Sequence, residues 1–304
     1  MAKLSLFKFL LLLSGAMAKS VIYDGRAPFS MKTSDLDTSV GPFLTAVKGQ
    51  NESASHYSTL LGHTSLPTPL YNAHLLIPTE QVISIRIDNT SVFVPGGGPP
   101  QFGFRRTEFI AQPTGNGSGS TNTTALDAVM ESPGVVSTFR FSIKADVERP
   151  LNYTHEYQIV FIEPSDGTHV FEVQLGSPFT DPTGPLPTPD AHSFKIRDHA
   201  LNVLFETLFT PLLWHNFGVT VDWANRTLRV LYSTDGLPLK AVTETMPNPT
   251  ATLGALGDFH FGVLKLPLVN PNDTPADQSD VVHHGIQEGT EEGLFYSGVF
   301  VESE

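Results

Sequence analysis

The 304-residue chain has no cysteine and only two tryptophans. Without cysteine there is neither a disulfide framework nor a thiolate nucleophile. Cross-links matter most for short chains, and one of this length buries an adequate apolar core unaided. Cationic side chains are scarce, 18 Lys and Arg against 31 Asp and Glu, giving a net charge of −13 and a pI near 5.2. That balance argues against nucleic acid and anionic membrane surfaces as partners. No apolar run reaches the roughly 20 residues that span a bilayer. Capped helical periodicity, a Gly-x-Ser-x-Gly elbow, a phosphate-cradling Gly-x-x-x-x-Gly-Lys loop and a dinucleotide fingerprint are all missing. No internal repeat is visible, which argues against a propeller or a β-helix.

What is present begins with a leader. Lys3 and Lys8 precede the apolar run Phe9 to Leu13, and Ala16-Met17-Ala18 supplies a small-x-small cleavage site. Met1 to Ala18 therefore reads as a secretory signal peptide, with a mature, extracellular chain starting near Lys19. Asn51, Asn89, Asn116, Asn122, Asn152, Asn225 and Asn272 lie in Asn-x-Ser/Thr acceptors and point to a glycoprotein.

Gly and Pro punctuate the chain at 95–100, 113–120 and 181–189, which marks loops. Between the loops lie short runs of β-branched and aromatic residues. Strands are predicted near 81–87, 91–94, 102–111, 136–144, 155–163, 170–175, 193–197, 214–223, 227–233, 259–265 and 294–301. Leu201 to Phe209 is the best helix candidate, though it fits a strand equally well. Many short strands with long crossing loops predict an all-β antiparallel sandwich of jelly-roll type. One domain is expected over residues 19–304, with a Gly/Ser/Thr-rich loop at 114–124 and a long tail segment from about Pro267.

The chemistry-bearing stretch is Gly103-Phe104-Arg105-Arg106-Thr107-Glu108-Phe109-Ile110-Ala111. Strand alternation puts Phe104, Arg106, Glu108 and Ile110 on one face and Arg105, Thr107 and Phe109 on the other. Buried charges must pair or do chemistry. A glutamate among apolar neighbours would have its charged form disfavoured, as a general acid requires; the alternative is a structural Arg–Glu pair. In the next acid-bearing strand, alternation assigns His155, Tyr157, Ile159, Phe161 and Glu163 to one face. Glu156, Gln158, Val160 and Ile162 fall on the other. Either Glu163 or Glu156 is a candidate partner for Glu108 across a groove. His215, in Trp214-His215-Asn216-Phe217, is a further candidate, and His260, between Phe259 and Phe261, a weaker one. His283 and His284 point apart on an extended chain and no spaced ligand set accompanies them, so neither a metal nor another cofactor is expected.

These segments resemble glycoside hydrolase family 131, the fungal secreted β-glucanases. The likeness rests on Tyr23-Asp24-Gly25-Arg26, Ile83 to Phe93, Gly103 to Glu108, Pro150-Leu151-Asn152, His155 to Gln158, Trp214 to Phe217 and Phe259 to Lys265, in that order. The resemblance implies a β-jelly-roll with an open glycan groove. It also implies exo action on β-1,3 and β-1,6 links and endo action on β-1,4 links. Glu108 matches the family's catalytic glutamate in the Arg-Arg-x-Glu strand. Glu163 and His215 are the leading placements for its partner, with Glu156 and His260 behind them. Arg105 or Arg106 would set the acid's pKa, and Gln158 and Trp214 would contact sugar. The expected species is a monomer acting on β-glucan; a non-catalytic, lectin-like glucan-binding jelly roll is the rival reading.

Overall fold

The computed structural model describes residues 20–69, 78–113, 123–179, 185–254 and 256–304. The leader and the sequon asparagines Asn116 and Asn122 lie outside these. The first strands are β1 Ser20–Asp24, β2 Phe43–Val47, β3 Ser58–Leu61, β4 Val82–Ile87, β5 Arg105–Ala111 and β6 Val136–Ala145. Then come β7 Glu156–Pro164, β8 Phe171–Gly176, β9 Ser193–Asp198, β10 Val203–Leu208 and β11 His215–Asp222. The last are β12 Thr227–Thr234, β13 Lys240–Ala241, β14 Met246–Pro247, β15 Gly257–Lys265 and β16 Glu292–Ser303. Among the described residues three short α-helices, α1 Ala54–Tyr57, α2 Thr123–Met130 and α3 Pro275–Ser279, and a 3-10 turn at Thr33–Thr38 sit in the connections.

The strands form two antiparallel sheets, the all-β sandwich that the alternation predicts. One sheet has nine strands in the order β13-β12-β11-β6-β16-β4-β3, with β1 beside β16 and β14 beside β12. The other has seven, in the order β10-β9-β8-β7-β15-β5-β2. Inward-facing aromatics from both sheets interdigitate between them. Phe139 meets Phe259 edge-on at 4.9 Å, Phe217 meets Phe194 at 5.2 Å, and Tyr296 meets Phe261 at 5.8 Å.

Three departures from the sequence reading have local causes. Ser91 to Val94 is not a strand, because the Asp88 carboxylate captures the Thr90 amide and hydroxyl in a tight turn, and the proline-rich run follows at once. Leu201 to Phe209 resolves as the edge strand β10, paired only with β9. The stretch beyond Pro267 ends in β16, an interior strand between β6 and β4. Of the described sequon asparagines, Asn51, Asn89, Asn225 and Asn272 are exposed, whereas Asn152 is half-buried and donates to Glu288.

One irregularity shapes the outer face of the seven-stranded sheet. The β7–β8 register slips between Gln158 and Val160. Ile159 and Val160 consequently both enter the core, and Phe161 turns outward to a separate cluster with Leu264 and Leu266. A bulge of this kind inverts the phase of alternation. Glu156 and Glu163, on opposite faces by strict alternation, thus end on the same one.

Phe261 anchors the inner side of this sheet, touching the rings of Phe43, Phe109, Phe259 and Tyr296. Phe261→Ala should lower unfolding stability by about 3–5 kcal/mol in urea titrations. A loss below about 1 kcal/mol would mean that the two sheets are not locked together here.

Candidate active site

Arg106 and Glu108, two residues apart on β5, project from the same outer face. Arg106 Nε lies 2.7 Å from Glu108 Oε1 and Nη2 lies 2.8 Å from Oε2, a forked, charge-assisted pair. Directly opposite Glu108 on β15 stands Gly262. Any Cβ there would come within 2.6 Å of Glu108 Cα, so only glycine lets the strands approach. Lacking a side chain opposite it, the Glu108 carboxylate is met from the adjacent outward position. His260 Nδ1 lies 2.8 Å from Oε2.

That contact sets the histidine's tautomer. An ionised carboxylate only accepts, so Nδ1 carries the proton and Nε2 turns away, 3.9 Å from Glu163 Oε2. The ring is also clamped from its face. His260 stacks on Phe161 at 4.8 Å, and His169 stacks on the same ring at 4.2 Å. Glu163, from the far side of the bulge, completes the group, with Arg106 Nη2 3.7 Å from its Oε2. Above these residues lies an open cleft of about 450 Å³, walled in part by Phe93, Arg106, Asp127, Glu163, Asp258 and His260. Its size suits a small ligand or one unit of a polymer.

The electrostatics overturn one expectation. Burial by itself would raise the Glu108 pKa. The Arg106 charge and the hydrogen bonds from His260 and Arg106 outweigh it and hold the carboxyl at about 2. Glu108 is therefore ionised at neutral pH and, at 0% side-chain exposure, lies beneath the cleft floor. It is not a desolvated acid. Glu163 is the exposed carboxylate of the group, with 28% of its side chain accessible.

Other sequence candidates fall elsewhere. His215, 1% exposed, belongs to the nine-stranded sheet and packs between Phe194 and Phe209 in the core. Its Nδ1 meets Tyr232 Oη at 2.7 Å, and Nε2 accepts the Thr210 amide at 3.1 Å. Burial lowers its pKa, so it is a neutral structural histidine and not a partner of Glu108. Trp214 is buried with its indole N–H donating to Pro67 O at 2.9 Å, which rules out a sugar platform. Arg105 points the other way on β5 and donates to the Phe102 and Phe104 carbonyls, leaving Arg106 alone to act on Glu108. Gln158 lies toward the opposite end of β7, where its amide donates to Glu156 at 3.2 Å. Glu156 is itself engaged there by Arg197 and the Phe179 amide.

His260 is the residue whose place sequence reasoning ranked too low. Alternation sets His260 on the face opposite Phe259 and Phe261, and because both of those pack into the core, His260 faces out. Asp127, on α2, had no signal, since no periodicity marks that short helix.

A depressed carboxyl pKa ties the site to acid stability. The folded value of about 2 lies below the unfolded value of about 4.3. The ionised Glu108 thus contributes fully above about pH 5, and the contribution is lost as pH falls through the folded value. Thermal midpoints measured from pH 7 to pH 3 should fall less steeply for Glu108→Gln than for the unaltered protein. Parallel curves would refute the assignment.

No curated protein matches the sequence. The family model of the glycoside hydrolase 131 catalytic N-terminal domain matches residues 21–304. Among solved structures, the fold is similar to that of a GH131 β-glucanase catalytic domain from Podospora anserina. That pair superposes with a TM-score of 0.65 at 21% identity, covering 94% of this chain and 96% of that one. The catalytic domain of the family 131 protein from Coprinopsis cinerea gives 0.62 at 23% identity, over 93% and 94%. The family match spans nearly the whole chain and includes the strands that carry Arg106, Glu108, Glu163 and His260; the protein belongs to glycoside hydrolase family 131.

Proposed function

We propose that this glycoside hydrolase cleaves β-glucans, with β-1,3, β-1,6 and β-1,4 linkages as its substrates, at the cleft over β5, β7 and β15. The observation that carries the reading is the meeting of His260 Nε2 and Glu163 Oε2, 3.9 Å apart, at the wall of an open cleft. Glycoside hydrolysis needs a group that activates water or attacks the anomeric carbon, and another that protonates the departing oxygen. Glu163 and His260 supply the basic side. Glu108 is a positioning residue, since its carboxylate holds the Nδ1 proton and leaves the Nε2 lone pair toward the cleft.

Beyond the cleft, the outer face continues through Phe161, His169, Glu172 and Arg197 to Glu156 and Gln158. Phe104 and Phe179 pack beside this line with Leu264 and Leu266. Phe161, Glu172, Arg197 and Glu156 are buried in this line, so glucan contacts along it would fall to the half-buried Phe104, Phe179, Gln158 and His169. Secretion as a glycoprotein is part of the same proposal, supported by the leader at Met1–Ala18 and the four exposed sequon asparagines.

The test is reducing-sugar release from laminarin and cellulose oligomers. Glu163→Gln and His260→Gln should each lose about 10²–10⁴-fold in kcat. His215→Gln should lower the thermal midpoint and leave kcat within a few-fold. Undiminished release by the Glu163 and His260 variants would place the chemistry elsewhere. Binding to insoluble glucan with no release by the unaltered protein would favour a lectin.

A further inference from the structure

The wall facing Glu163 and His260 carries a group that the reading above leaves unused. Asp127 sits on α2, anchored by Leu126 and Met130, which turn into the core. Its side chain lines the same cleft as Arg106, Glu163 and His260, yet the residue is only 4% exposed. Among the described residues Oδ1 finds no hydrogen-bond partner. No cation pairs with Asp127 among the described ion pairs either. A buried carboxylate in that condition is costly, and the cost falls if the group keeps its proton. A protonated carboxyl that meets no acceptor within the protein has a hydrogen bond to offer a ligand.

We propose that Asp127 is the general acid of this cleft, donating its carboxyl proton to the departing glycosidic oxygen. The inference rests on the hydrolase reading of the same site. In the step, the Asp127 O–H bond breaks and its proton bonds the glycosidic oxygen as the anomeric C–O bond cleaves, the bonding pair leaving with the oxygen. Water adds to the anomeric carbon and gives its proton to the Glu163–His260 side. The two protonation states are then restored through solvent.

The surroundings favour this division. Facing Asp127 are Asp258 and His260 from β15, Glu163 from β7 and Arg106 from β5. One turn along its own helix is Glu131, buried and accepting the Gly257 amide at 3.0 Å. β1, which also packs against α2, brings Tyr23, engaged with Pro42 O, and Asp24, paired with Arg26. Burial, and then the Asp258 charge, raise the Asp127 pKa to about 8. Beneath the cleft floor Arg106 and His260 hold Glu108 at about 2. Asp127 thus holds a proton at neutral pH, while the ionised Glu108 only orients His260. Among the described residues no three His, Asp or Glu side chains are placed to hold an ion.

Asp127→Asn is nearly isosteric and as uncharged as the protonated acid, so folding should be retained. Hydrolysis of cello- and laminari-oligosaccharides should fall about 10²–10⁴-fold. A 2,4-dinitrophenyl β-glucoside, whose leaving group departs without protonation, should be cleaved within about threefold of the unaltered rate, because only proton donation has been removed. The alkaline limb of the oligosaccharide pH–rate profile, expected near pH 8 in the unaltered protein, should vanish. In parallel, Asp258→Asn, which removes the neighbouring negative charge, should move that limb to lower pH. Equal loss on both substrates, no loss on either, or an unmoved limb in Asp258→Asn overturns the assignment. No cleavage of any β-glucoside by the unaltered protein would instead sink the hydrolase reading.

Discussion

A buried guanidinium–carboxylate–imidazole chain on the outside of a sheet organises the floor of the cleft. Arg106, Glu108 and His260 are joined by hydrogen bonds of 2.7 to 2.8 Å and are almost wholly withdrawn from water. Removing charges from water is expensive, and apolar replacements often stabilise a fold as well or better. What the chain provides is orientation. It fixes one imidazole nitrogen as donor and presents the other to the cleft, while stacking on Phe161 fixes the ring plane. The sandwich provides the rigidity, since inward aromatics on β5 and β15 lock both strands from beneath.

The site also depends on two backbone exceptions to regular sheet geometry. Gly262 has no side chain, so the strand carrying Glu108 comes close enough for His260 to reach the carboxylate. The bulge in β7 swings Phe161 and Glu163 to the outer face, beside His260. Without that extra inward residue, Glu163 would point into the core and Phe161 could not support the imidazole. Regular strands build the scaffold, and the departures from regularity aim Glu163 and His260 at the cleft.

Much of the fold was legible, because period-two alternation and the Gly/Pro-rich turns record which residues face water and which do not. The strands from Val82 to Ile87, Val136 to Ala145 and Thr227 to Thr234 lie almost where alternation puts them. The short helix bearing Asp127 was not legible, since eight residues next to a Gly/Ser-rich loop carry too little periodicity. Histidines were the other difficulty. His215 follows Trp214 and His260 lies between Phe259 and Phe261, and local pattern does not say which face of which sheet is covered. His215 is sealed between the sheets, whereas His260 faces the cleft.

By itself the sequence determined the all-β class, the Arg106–Glu108 side-by-side placement and the family, because these follow from local alternation and from motifs in order along the chain. The tertiary structure alone decided that Glu108 is ionised rather than acidic, that its partner is His260 and not His215, and that Glu163 and Asp127 face one cleft. Each of those outcomes is set by what packs across from a side chain. Strand order, a register slip and the neighbour's charge are not written in the residues beside it.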